Sequence, residues 1–219
     1  MNRNERRIKF LDVDIYPVTC EKLSAGRSNL EVLEAVIRGG AKIIQLREKD
    51  YSIRDFYQLA SRFREITARA EVLLIINDRM DIALAVEADG AHLGQDDLPL
   101  RVARKLAPDM LIGISTHSLE EAQEAQRNGA DYINIGPIFP TKTKTGVKLF
   151  LGPDAIATIK KSIEIPFTVM GGINESNIDQ VVDKGACRVA MVTAITQAPD
   201  IAAAVRALRK KIIPKSFKA

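Results

Sequence analysis

Eight short apolar segments alternate with longer amphipathic ones along the chain, and this alternation restricts the fold more than any other feature. The segments are "DIYPVTC", "KIIQLRE", "VLLIIN", "AHLG", "LIGIST", "YINIG", "PFTVMGG" and "CRVAMVT". None switches strictly between apolar and polar residues. A strand with one wet face does so, whereas a strand of a parallel sheet, buried on both faces, does not. The stretches between them have helical spacing: in "NLEVLEAVIRGG", Leu30, Leu33, Val36 and Ile37 share one face. Parallel strands separated by helices make a βα-repeating architecture.

The punctuation agrees. Ser118 followed by Glu121 has the spacing of a capping box. Asn174 is expected to cap the helix in "NESNIDQVVDKGA". Gly39, Gly129 and Gly185 stand where helices should end on a left-handed residue. Gly-Ala precedes a strand at Gly40-Ala41, Gly90-Ala91, Gly129-Ala130 and Gly185-Ala186, as a turn from helix to strand. The uneven spacing excludes a solenoid.

Eight such units in 219 residues suit an α/β fold of the (β/α)8 TIM-barrel type. An open doubly wound sheet is the competitor, but no G-x-G-x-x-G follows the first strand. The expected organisation is an N-terminal extension over 1–13, a single barrel over 14–213 and a tail over 214–219. A hydrophobic content of 46% supports one core. No apolar run approaches the roughly 20 residues of a membrane span. The charged N-terminus lacks an apolar h-region, so no signal peptide is expected. Cys20 and Cys187 lack metal-site spacing; the sequence leaves one disulfide between them open, but they read better as two reduced thiols of a cytoplasmic protein. The net charge of +4 is spread along the chain and aromatics are 5%, which argues against a base-stacking platform. No nucleic-acid or membrane partner is expected; a basic surface for solubility or an anionic small-molecule ligand remains. A homo-oligomer is compatible with the sequence.

Almost every strand ends in polar residues. In order they are Gln45, Arg47, Glu48 and Lys49; Asn77, Asp78 and Arg79; His92, Gln95, Asp96 and Asp97; Ser115, Thr116 and His117; Thr141, Lys142, Thr143 and Lys144; Gly171 and Gly172; Val192 and Thr193. A barrel brings all of these to one mouth. Asp78 with Asp96 or Asp97 could share Mg²⁺, or each could simply cap the helix that follows. Arg47, Lys49 and Lys144, with a dication, exceed what two carboxylates balance, so the missing partner is anionic and a diphosphate fits. Lys142 and Lys144 lie in a solvated loop or, with Thr141, Thr143 and Gly146, on phosphate. Gly171-Gly172 with Val192-Thr193 is a monophosphate site or a tight turn. His92 reads as a hydrogen-bonded core or pocket-wall residue, and His117 as a catalyst or a helix-entry residue.

The motifs "QLREK", "IINDR", "DGAHLGQDD", "GISTHSLEEA", "ADYINIGPIFPTKTK", "GGI" and "VAMVTAI" resemble those of the thiamine phosphate synthase (thiamine-phosphate pyrophosphorylase) family, from about Tyr16 to Lys211. The family joins 4-amino-5-hydroxymethyl-2-methylpyrimidine diphosphate to 4-methyl-5-hydroxyethylthiazole phosphate, or its carboxylated form, and releases pyrophosphate. The resemblance implies Mg²⁺ on Asp78 and Asp97. It implies the pyrimidine diphosphate on Gln45, Arg47, Lys49, Asn77, Ser115 and Lys144, with His92 in the site wall. Thr141, Lys142 and Thr143 fall where the thiazole binds, and Gly172, Val192 and Thr193 where its phosphate sits. Arg47, Lys49, Ser115 and Lys144 are the implied catalytic residues. This chain departs from the pattern in three places: Cys20 stands where an acid is usual, Val169-Met170 replaces alanine-isoleucine before the glycines, and Thr193 replaces a serine. Two alternatives remain. One is the thiazole tautomerase branch, which uses a histidine after the fifth strand, here His117. The other is a non-catalytic phosphate-ligand barrel. The Asp78/Asp97 pair favours the synthase, because a tautomerase handles no diphosphate.

Overall fold

The computed structural model describes residues 1–141, 143 and 149–216. Its strands are β1 (Ile15–Pro17), β2 (Ile43–Leu46), β3 (Leu73–Asn77), β4 (Gly90–Leu93), β5 (Leu111–Thr116), β6 (Tyr132–Ile135), β7 (Phe167–Val169) and β8 (Val189–Met191). They pair in parallel in the order β1-β8-β7-β6-β5-β4-β3-β2. The two ends of that order meet. Val18 bridges Gln45 in parallel, and the Thr19 N–H donates to the Gln45 carbonyl at 2.9 Å. The sheet is therefore the wall of a barrel, as the alternation of segments predicts.

Helices α2 (Asn29–Arg38), α3 (Ile53–Arg69), α4 (Met80–Ala85), α5 (Leu100–Leu106), α6 (Leu119–Arg127), α7 (Asp154–Lys160), α8 (Ile178–Val182) and α10 (Ile201–Ser216) surround the barrel. A short α9 (Thr193–Thr196) follows β8, and α1 (Arg3–Leu11) precedes β1. Successive strand residues split between two cores. Ile44, Leu74, Ile76 and Ile112 face the helices, while Ile43, Leu73, Ile75 and Leu111 fill the barrel. Both faces of each strand are buried, which is why the segments lack polar alternation. Among the described residues, no helix is long and apolar enough to cross a membrane.

The end of the barrel where the strands begin is sealed. Phe10 of α1 stacks on Tyr132 with ring centroids 4.3 Å apart. Three buried acids, Asp14, Asp89 and Asp131, stand directly before β1, β4 and β6. Each accepts from a strand N–H: Ile15 at 2.6 Å, Leu74 at 2.9 Å and Ile112 at 2.9 Å. Each also meets arginine. Arg209 grips Asp14, Arg64 bonds Asp89 at 2.8 Å, and Arg3 and Arg104 bond Asp131. Arg3 ties α1 to that rim, so residues expected only as an extension close the bottom of the barrel. A buried carboxylate is costly unless paired and hydrogen-bonded, and each of these is both.

Several local expectations need correction. The left-handed residue after α2 is Gly40 (φ +87°), not Gly39, which caps the helix at φ −74°. Gly129 and Gly185 are left-handed as expected. Gly90 is no turn residue but the first of β4. It is small because a Cβ there would lie 2.6 Å from the Leu111 carbonyl oxygen. The turn after α4 uses Glu87 at φ 51° instead. Asn174 does not cap α8, which starts at Ile178; it closes an earlier turn by accepting from the Ser176 N–H at 2.9 Å. Ser118 caps α6, but Glu121 accepts from the His117 N–H and ring rather than completing a capping box.

A Cβ at Gly113 would lie 2.1 Å from Cζ of Tyr132. Gly113→Ala therefore destabilises the fold by about 1–3 kcal/mol, seen as a lower denaturation midpoint. His92 is buried, and that burial pushes its pKa from 6.5 down to about 4, against the upward pull of Asp97. As pH falls from 6.5 to about 4, the unfolded chain takes up a proton that the folded ring refuses. Stability then declines on acidification by up to about 1.4 kcal/mol per pH unit from this group. Denaturant titrations across that range should show a shallower decline in His92→Gln than in the wild type.

Candidate active site

The opposite end, where the strands finish, gathers the polar residues. Asp78 follows β3 in a left-handed backbone conformation (φ 58°), which aspartate tolerates better than most residues. That turn is held by the Asp78 N–H donating to the His92 carbonyl at 2.9 Å. Asn77 Nδ2 donates to Asp78 Oδ1 at 2.8 Å, and Lys49 Nζ donates to Oδ2. Asp97, in the β4–α5 loop, accepts from the Gly94 N–H at 2.6 Å.

The two carboxyl groups meet. The Asp97 pKa is raised, first by burial and then by contact with Asp78, while the Gly94 N–H and Lys49 pull it down. Neither acid caps a helix: α4 is capped at Arg79 and α5 at Pro99, both without a side-chain bond. The capping alternatives therefore fail for both residues. Among the described residues, no cluster of three or more His, Cys, Asp or Glu could hold a metal. Asp78 and Asp97 are a two-carboxyl donor set at the mouth.

Ser115 sits near the end of β5. Its Oγ is 2.9 Å from His92 Nε2, and its carbonyl accepts from Gln95 Nε2 at 2.6 Å. Gln45, buried at the end of β2, donates from Nε2 to the Tyr16 hydroxyl at 3.0 Å. Arg47 and Lys49 lie in the β2–α3 loop, where the Arg47 N–H donates to Thr19 Oγ1 at 2.9 Å. Thr141 and Thr143 lie in the β6–α7 loop, with the Thr143 N–H donating to Thr141 Oγ1 at 3.2 Å. Lys142, Lys144 and Gly146 lie outside the described residues.

After β7, Gly171 (φ +106°) and Gly172 (φ +63°) form a turn pressed on the β6–α7 loop. A Cβ on Gly172 would lie 2.4 Å from the Pro140 carbonyl oxygen. The turn reading holds, because both glycines are small where the β6–α7 loop packs against them. Val192 caps α9 with no side-chain bond, and its carbonyl accepts from the Ile195 and Thr196 N–H groups at 3.0 and 2.9 Å. His117 is tied to Glu121 at 3.0 Å, the helix-entry arrangement.

Sequence reasoning missed Tyr16, Tyr132, Asn134 and Thr168. Tyr16 and Tyr132 join hydroxyls 3.0 Å apart inside the barrel, and Thr168 Oγ1 donates to Asn134 Oδ1 at 2.8 Å. The available signal was a tyrosine in an otherwise aliphatic strand, because a buried phenol needs a partner.

A family profile described as thiamine monophosphate synthase matches residues 15–195. The thiamine-phosphate synthase of Chloroflexus aurantiacus is 46% identical over 200 residues, covering 91% of this chain and 93% of that protein. The thiamine-phosphate synthase of Pelotomaculum thermopropionicum is 48% identical over 207 residues, covering 94% and 95%. The solved structure of thiamine phosphate pyrophosphorylase from Pyrococcus furiosus superposes with a TM-score of 0.86 at 35% identity, covering 95% of this chain and 98% of that one. With the profile spanning most of the barrel and relatives this similar along nearly the whole chain, it belongs to the thiamine monophosphate synthase family.

Proposed function

We propose that this chain condenses 4-amino-5-hydroxymethyl-2-methylpyrimidine diphosphate with 4-methyl-5-hydroxyethylthiazole phosphate to give thiamine phosphate and pyrophosphate, or with its carboxylated form to give the same products and carbon dioxide. The observation that carries this reading is the contact between the Asp78 and Asp97 carboxyls beside Lys49. Two adjacent carboxyls gain from a shared dication. Their all-oxygen character suits Mg²⁺, which takes one or two carboxylates and completes its shell with water and substrate phosphate oxygens. Asp78 and Asp97 would hold Mg²⁺ there, and the ion would add positive charge where the diphosphate departs.

The remaining work falls to the side chains. The bond between the pyrimidine methylene carbon and the diphosphate oxygen breaks, and its electron pair leaves with pyrophosphate. The electron-rich aminopyrimidine stabilises the resulting cation. The thiazole nitrogen lone pair then forms the new C–N bond. Arg47, Lys49 and Lys144 hold positive charge where negative charge develops, and Ser115 donates a hydrogen bond to the leaving group. Gln45 and Asn77 orient the pyrimidine, and His92 stands in the site wall behind Ser115. Thr141, Lys142 and Thr143 hold the thiazole in line, with its phosphate on Gly172, Val192 and Thr193 at the start of α9. No proton needs to be removed from either substrate for this bond to form, so no general base is assigned. The free thiols Cys20 and Cys187 suit a cytoplasmic setting.

Pyrophosphate release from the paired substrates tests this directly. Asp78→Asn, Asp97→Asn and Lys49→Ala should each lower kcat by about 10²-fold or more while the far-UV spectrum is retained. Activity near wild type in all three would remove the site assignment. Calorimetry should show tight binding of the pyrimidine diphosphate with Mg²⁺ and weak binding after chelation. A tautomerase would bind only the thiazole phosphate, and a silent barrel would bind without turnover.

A further inference from the structure

Five polar side chains form one line across the barrel. Gln45 Nε2 lies 3.0 Å from the Tyr16 hydroxyl, which lies 3.0 Å from the Tyr132 hydroxyl. The Tyr132 hydroxyl is 3.2 Å from His92 Nδ1, and His92 Nε2 is 2.9 Å from Ser115 Oγ. The line runs from β2 to β5 by way of β1, β6 and β4. Tyr16 and Tyr132 are fully buried and His92 nearly so. The synthase reading gives Tyr16 and Tyr132 no task, and an aliphatic core would have filled the same space with fewer polar groups to satisfy.

We propose that this line is a one-way hydrogen-bond relay, set at Gln45, that leaves the Ser115 hydroxyl hydrogen free for the substrate. The argument is a count of hydrogens. An amide nitrogen only donates, so Gln45 Nε2 occupies an acceptor position on Tyr16. Tyr16 has one hydrogen and spends it on Tyr132. Tyr132 has one hydrogen and spends it on His92 Nδ1. A neutral imidazole with Nδ1 accepting carries its hydrogen on Nε2, and that hydrogen goes to Ser115 Oγ. The serine oxygen is then an acceptor from inside the barrel. Its own hydrogen points to whatever occupies the mouth. The reversed relay would spend the serine hydrogen on His92 and turn a lone pair toward the departing diphosphate, which repels it. Tyr16, Tyr132 and His92 are thus positioning residues that act through Ser115. Gly113 belongs with them, since only a missing side chain there admits the Tyr132 ring. The inference rests on the synthase reading only for the identity of the leaving group.

The His92 tautomer is readable in the intact, substrate-free protein by long-range proton–nitrogen NMR on ¹⁵N-histidine, with His117→Asn used to assign the other ring. The expected signature is neutral His92 protonated on Nε2. Protonation on Nδ1 would overturn the relay whatever the enzyme turns over. The kinetic arm is a cycle. Ser115→Ala should lower kcat about 10²-fold. Tyr132→Phe keeps the ring and breaks the line, and should lower kcat about 10-fold with KM for either substrate nearly unchanged. Made on top of Ser115→Ala, Tyr132→Phe should cost less than about 2-fold, because both changes remove the same donor. Equal penalties in both backgrounds would mean that Tyr132 does not act through Ser115. A wild-type protein that fails to condense the two substrates would sink the synthase reading, while the tautomer would still decide the relay.

Discussion

The seam between β1 and β2 is where an eight-stranded parallel sheet becomes a barrel. It consists of the Val18–Gln45 bridge and the Thr19 N–H bond to the Gln45 carbonyl. Because the strands are parallel, closing that seam puts every strand start on one face and every strand finish on the other. Residues as far apart in sequence as Gln45, Asp97, Ser115 and Thr193 share a mouth for that reason alone. The seam residue Gln45 also begins the polar line through the interior, so its backbone carbonyl closes the barrel and its side-chain amide starts that line.

The two faces treat acids in opposite ways. At the strand starts, Asp14, Asp89 and Asp131 are each saturated by arginine and a strand N–H. Their charge is spent on holding the rim, and they offer nothing to a ligand. At the strand finishes, Asp78 and Asp97 face each other with Lys49 beside them, and Asp97 is held above its usual range by burial and by its neighbour. A carboxylate pair in that condition is improved by a cation. The same residue type is therefore neutralised by arginine at one end and left facing a second carboxyl at the other.

Much of the fold was legible because it depends on local patterning. The eight runs without polar alternation became eight strands, and Gly129 and Gly185 took the left-handed positions that end a helix. Errors arose where two local solutions have the same composition. In "RGGAK" either glycine could have been the left-handed one, and only the backbone path assigned it to Gly40. In "VEADGAH" the glycine looked like the turn, but Glu87 makes the turn and Gly90 makes room for the neighbouring strand. The acids of the mouth are visible as residues in the sequence, but the caps at Arg79 and Pro99, which exclude helix capping by either acid, are not.

The sequence by itself determined the repeating βα pattern, the two-sided burial of its strands and the set of polar residues at their ends, since these follow from short-range periodicity and residue chemistry. Through its motifs it also determined the family resemblance. Only the tertiary structure decided which acids meet, which acids are neutralised by arginine, that α1 seals the floor, and that Tyr16, Tyr132 and His92 form one hydrogen-bonded line. Those are contacts between residues far apart along the chain, and no local preference encodes a distance across a closed barrel.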